Sequence, residues 1–121
     1  MHDLIKRDAT DQLAALAARR VSAAELLKAE LARHEETHGT LNAVVAVDLE
    51  RAMSHARAID DLRGRGEALG VLAGLPMTVK DTFDVAGMPA TSGVEALRKR
   101  MVRDASAVRR AREEGAVIWG K

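Results

Sequence analysis

The chain has 121 residues, enough for one small domain and too few for two. A net charge of +1, from 19 basic and 18 acidic residues, gives no global field for nucleic acid or acidic lipid, and the two aromatics, Phe83 and Trp119, offer no platform for stacking bases. Without cysteine there are no disulfides, thiolate zinc sites or thiol nucleophiles, and no apolar run is long enough for a signal peptide or a bilayer span, so the default is a cytoplasmic protein that binds neither nucleic acid nor membrane.

Residues 1–9 are polar and read as loose. Asp8 or Thr10 can cap a first helix over about 10–20, in which Leu13, Leu16 and Ala17 form an apolar stripe. Ser22 and Glu25 make a capping box for a second helix over 23–38, with Ala24, Leu27, Leu31 and His34 on one face and Gly39 as its stop. Residues 42–47 are a continuous apolar, β-branched run, which predicts a strand covered on both faces. Asp48 caps a third helix over 49–62, with Ala52, His55, Ala56 and Ile59 along one side, and Arg63-Gly64-Arg65-Gly66 is a turn. A second strand follows at 75–81, then a turn at Gly87-Met88-Pro89 and a short helix near 94–100. Asp104 caps a last helix over 105–114, Gly115 stops it, and 116–120 is a third strand. The order is α/β, with helices packed on a mixed sheet. Because the chain stops directly after an apolar strand, it reads as the N-terminal part of a single larger domain, incomplete as given.

The stretch from Leu72 to Thr91 holds both prolines and, in Lys80, the only lysine between Lys28 and Lys99. Strand alternation places Thr78 and Lys80 on one face and Met77, Val79 and Asp81 on the other. Burial disfavours an ammonium, so a lysine at the end of a covered strand can serve as a base. The alternative is a strand-end cation at the sheet rim with Asp81 solvated beside it. Arg98-Lys99-Arg100 and Arg109-Arg110 read as solvated faces, because acidic residues follow them closely.

Two other chemistries have candidates. His34-Glu35-Glu36-Thr37-His38 fits H-E-x-x-H, in which two histidines one helical turn apart bind zinc and the glutamate, Glu35, acts as base. A third ligand would have to be His2, His55 or a carboxylate, and the competing reading is a helix terminus carrying two imidazoles. For serine catalysis, Ser22 is a cap, Ser54 sits mid-helix and Ser106 lies in the first turn of the last helix. Only Ser92, in the loop after the Lys80 strand, has an active-site-like setting, though a Thr-Ser-Gly loop is usually just a turn. No glycine-rich phosphate loop is present.

The run Gly70-Val71-Leu72-Ala73-Gly74-Leu75-Pro76-Met77-Thr78-Val79-Lys80-Asp81, followed by Asp84-Val85-Ala86-Gly87-Met88-Pro89-Ala90-Thr91, resembles the amidase signature family of amide hydrolases. Ser22-Ala23-Ala24-Glu25-Leu26 resembles that family's second-helix opening, and Leu41-Asn42-Ala43-Val44-Val45 its first strand. Asp104-Ala105 through Gly120-Lys121 resembles the helix and strand that follow. The similarity runs in order over nearly the whole chain.

The resemblance implies a Ser-cisSer-Lys triad that hydrolyses carboxylic amides through an acyl-serine, with no metal or organic cofactor. Lys80 falls at the position of the triad lysine, the general base, and Asp81 would be a supporting carboxylate. Both triad serines would lie beyond Lys121, so these 121 residues are expected to be inactive alone. Ser92 matches neither serine, Val94 stands where many relatives carry serine, and His34 stands where they tend to place an apolar residue. The implied partner is a small-molecule amide substrate, with homodimerisation through the full-length protein. The alternatives are the glutaminase subunit of a tRNA-dependent amidotransferase, a zinc metallohydrolase using His34, Glu35 and His38, and a non-enzymatic module pairing through its open sheet edge.

Overall fold

The computed structural model describes Met1–Lys121 throughout. Helix starts are set by local side chains. Asp8 accepts a hydrogen bond from the Asp11 amide at 3.0 Å and opens α1, Ala9–Ala17. Ser22 and Glu25 satisfy each other's backbone donors at 3.1 and 2.9 Å and open α2, Ala23–Leu41. Asp48 accepts from the Arg51 amide and opens α3, Leu49–Gly64. A second carboxylate reinforces α2 from outside: Asp60 on α3 accepts from the amides of Ala23 and Ala24 at 2.7 and 3.0 Å, placing a negative charge at the positive end of the helix.

Four expectations for the helices and the N-terminus need correcting. α2 runs through Gly39 and ends at Asn42, whose φ of 47° lets its amide donate a hydrogen bond to the His38 carbonyl at 2.8 Å. Asparagine tolerates the left-handed conformation that a helix end needs, so the glycine was not required there. Asp104 does not cap the last helix. α4, Ser106–Glu113, starts at Ala105 with no side-chain cap, because the Asp104 carboxylate accepts from the Ala86 amide at 2.7 Å and pairs with Arg112 at 3.1 Å. The helix expected near 94–100 is a single 3-10 turn, Glu95–Leu97. Residues 4–6 form another such turn, and Leu4 and Ile5 pack on the core instead of hanging loose.

The sheet is small. β1, Pro76–Thr78, runs parallel to β2, Val117–Gly120, with Pro76 opposite Val117 and Met77 opposite Ile118. β1 is shorter than the 75–81 expected. The 42–47 run is not a strand. It touches β2 through one antiparallel bridge, Val47 to Gly120, and through the amide of Val45, which donates to the Lys121 carbonyl at 2.7 Å. Only Val44 and Ala46 pack inward, while Val45 and Val47 stay exposed, so an unbroken apolar run here does not mean cover on both faces.

β2 is the true centre. Val117 and Trp119 face one cluster with Leu16, Leu26, Leu27, Ala52, Ala56 and Ile59, where α1, α2 and α3 meet. Ile118 faces the other way, onto Val85, Met88 and Val108 of the 84–90 turn and α4. Each large side chain so covered contributes about 1.5–3 kcal/mol. Gly120 is squeezed between Thr78 and the 44–46 segment; a Cβ there would lie 2.8 Å from Val44 Cγ1 and 3.1 Å from the Ala46 carbonyl oxygen. No helix is long and apolar enough to cross a membrane.

Candidate active site

In open α/β sheets, ligands bind beyond the carboxyl ends of the strands. Here those ends deliver two lysines, Lys80 after β1 and Lys121 after β2. The backbone stays paired up to Lys80: the Val79 amide donates to the Gly120 carbonyl at 3.0 Å, and the Lys80 carbonyl accepts from Phe83 at 2.9 Å, turning the chain. Burial alternates along Met77–Asp81, with Thr78 and Lys80 exposed and Met77, Val79 and Asp81 partly covered.

The exposure of Lys80 corrects the expectation of a lysine on a covered strand. Thr78, on the same face, is exposed as well. The buried ammonium belongs to Lys121, which is 4% exposed. Its Nζ lies 2.9 Å from Asp81 Oδ1 and donates to the Pro89 carbonyl at 3.1 Å.

Asp81 is therefore not solvated beside Lys80. Besides Lys121, it accepts from the hydroxyl of Thr91 and, at 3.3 Å, from the Thr91 amide. Burial pushes its carboxyl pKa up, but the hydrogen bonds from Thr91 and Lys121, with the lysine's charge, outweigh that and hold it below the usual range. The Asp81 carbonyl in turn accepts from the Ser92 amide at 3.1 Å, and the Thr91 hydroxyl oxygen accepts from Gly93 at 3.1 Å. The result is a tied loop, residues 81–93, with Lys80 at its entrance. Ser92 sits in the left-handed region at φ 49°, and its hydroxyl reaches only the Asp81 carbonyl, at 3.5 Å. It has no base within these residues. Sequence reasoning missed Lys121 and Thr91. An apolar strand running straight into Gly120-Lys121 was the available signal that this lysine leaves a covered strand.

The zinc reading finds no support. His34 packs its ring 5.2 Å from Trp119 and 4.7 Å from His38. Glu35 is exposed, His38 Nδ1 is buried with no partner, and no three His, Cys, Asp or Glu side chains anywhere gather as a ligand set. His55, one proposed third ligand, is half-buried on α3. Burial and then the charges of Arg112 and Arg51 lower its pKa. Ser22 is the α2 cap, and Ser54 and Ser106 are exposed.

Parallel strands joined through α4, with helices on both faces, define an α/β fold. The Amidase family model matches residues 25–121. Over its whole length the chain is 42% identical to a glutamyl-tRNA(Gln) amidotransferase subunit from Acidothermus cellulolyticus, of which it covers 24%. It superposes on native peptide amidase from Stenotrophomonas maltophilia with a TM-score of 0.91 at 31% identity, covering 100% of this chain and 25% of that one. A bacterial aryl acylamidase of the amidase signature enzymes gives 0.83 at 26% identity, over 94% of this chain and 24% of that one. The chain belongs to the amidase signature family, and it spans about a quarter of the length of the relatives it matches.

Proposed function

We propose that the protein carrying this chain hydrolyses carboxylic amides through an acyl-serine, with Lys80 as general base. In this reading a serine attacks the amide carbonyl carbon while its proton passes through a second serine to the neutral amine of Lys80. The C–N bond then breaks, the proton goes on to the leaving nitrogen, and water cleaves the acyl-serine to acid. Both serines, and the cover that would keep Lys80 neutral, come from outside these 121 residues. The observation that carries the reading is the placement of Lys80: just beyond the carboxyl end of β1, exposed, with the preceding Val79 amide donating to Gly120 of β2 and the Lys80 carbonyl accepting from Phe83 of the loop that follows. That supports a side chain offered from a fixed base toward whatever packs over the sheet edge.

The test is to incubate the intact gene product with benzamide, acetamide and L-glutamine, and to look for release of ammonia and for a protein mass raised by the acyl group. Turnover with a trapped acyl-enzyme supports the proposal; turnover of none of them, with no acyl adduct, counts against it.

A second reading has its own support in the 42% identity to an amidotransferase component. There the intact protein is a glutaminase that passes ammonia to a partner protein. Hydrolysis confined to glutamine and stimulated by a co-purifying partner would favour it; broad turnover by the protein alone would favour the free amidase.

A further inference from the structure

Lys121 does more than fill space. Its backbone is fixed as a continuation of β2, since its amide donates to the Ala46 carbonyl at 2.9 Å and its carbonyl accepts from Val45 at 2.7 Å. From that anchor its side chain, 0% exposed, crosses to the 81–93 loop and commits two of its three donors to Asp81 and to the Pro89 carbonyl. A charge this covered is tolerated only when paired, so the pair has one stable geometry. Asp81 then transmits it. One carboxylate oxygen meets Lys121, the other the Thr91 hydroxyl, and the Asp81 carbonyl holds Ser92. The residue immediately before Asp81 is Lys80.

We propose that Lys121 is a positioning residue for the amide hydrolysis. Acting through Asp81, its ammonium fixes the backbone that presents Lys80 and clamps the Thr91–Gly93 turn beside it. This rests on the reading of Lys80 as base. Lys121 does not touch the substrate, and its contribution lies in where Lys80 stands, since a displacement of an ångström at a reacting group can cost about 100-fold in rate.

The test uses the intact gene product acting on benzamide, acetamide and L-glutamine, with wild type, Lys121→Met, Asp81→Asn, the double variant and Lys80→Ala compared. Lys121→Met is expected to lower kcat about 10–100-fold with KM changed less than about threefold, because the chemistry and not the binding is displaced. The double variant is expected to be no worse than the poorer single variant, since both act through one link. Hydrogen exchange at the Thr91, Ser92 and Gly93 amides is expected to speed up in Lys121→Met while the amides of α2 and α3 keep their protection. If Lys121→Met does not fold, the double variant, which buries no unpaired charge, decides: folded with a tenfold or greater loss of kcat it supports the inference, folded with wild-type kcat it overturns it. Wild-type kcat in a folded Lys121→Met, or additive losses, also overturns it. If none of the amides is turned over, the exchange pattern decides, and unchanged protection of the 91–93 amides overturns the inference. Full turnover by Lys80→Ala would sink the reading of the base and leave the exchange result to judge the clamp. An inactive Lys80→Ala beside a fully active, fully protected Lys121→Met would sink this inference alone.

Discussion

The ammonium of Lys121 lies 2.9 Å from Oδ1 of Asp81, so the residue that follows Lys80 is ion-paired to the residue that follows β2. The pair is nearly dry: the lysine side chain is 0% exposed and the aspartate 15%. Removing one partner of such a pair leaves the other charge buried and uncompensated.

Asp81→Asn should therefore cost about 3–5 kcal/mol at neutral pH. The acid limb follows from the direction of the pKa shift. The Asp81 carboxyl is held below its ordinary value when folded, so its contribution is complete above that ordinary value, near 3.8, and is lost as pH falls through the folded one. Urea unfolding of the intact protein across pH 2.5–7 should show wild type losing stability below about pH 4 and Asp81→Asn losing less over the same range. Equal stability of the two at pH 7 would contradict the pairing.

His55 gives an independent pH signature. Its folded pKa is lowered, first by burial and then by Arg112 and Arg51, so the unfolded chain takes up a proton there that the folded chain refuses. Stability should rise with pH up to about 6.5 and fall away below it. His55→Gln should flatten that limb of the stability–pH curve without moving the more acidic one. An unchanged slope between pH 5 and 6.5 would contradict it.

Gly120 separates β1 from the 44–46 segment by having no side chain. Gly120→Ala places a methyl 2.8 Å from Val44 Cγ1 and 3.1 Å from the Ala46 carbonyl oxygen, and backbone cannot yield as a flexible side chain would. The expected cost is about 1–3 kcal/mol, read as a lowered urea midpoint. The bond from Val45 to Lys121 should loosen with it, seen as faster exchange of the Val45 amide. A wild-type midpoint would show that the segment can move aside freely.

What the sequence disclosed, and what it hid, follows the range of the interactions involved. The Ser22–Glu25 box was legible because both partners sit within one helical turn. Asp104 looked like an equally good cap, yet Ala86 and Arg112, brought near by the fold, take its carboxylate. The apolar run at 42–47 has strand composition, but cover depends on what packs against it, and only Val44 and Ala46 find neighbours. The same limit explains the two lysines. Alternation correctly put Lys80 and Thr78 on one face, but nothing in a local pattern says whether a face is covered. The covered lysine proved to be Lys121, whose partners Asp81 and Pro89 are far from it in sequence. The H-E-x-x-H match at His34–His38 was likewise local, and Trp119, arriving from β2, makes His34 part of a packed cluster.

The family resemblance was carried by ordered similarity along nearly the whole chain, and the match over residues 25–121 rests on the same stretch. The role of Lys80 is what that membership leaves to experiment. The most direct measurement is kcat/KM of the intact gene product on its best amide substrate, for wild type against Lys80→Ala, with thermal unfolding confirming that the variant is folded. A folded Lys80→Ala reduced by at least about 1,000-fold is the result expected of a general base in a coupled triad. A folded variant with turnover near wild type would mean that the amine at position 80 takes no part in the chemistry.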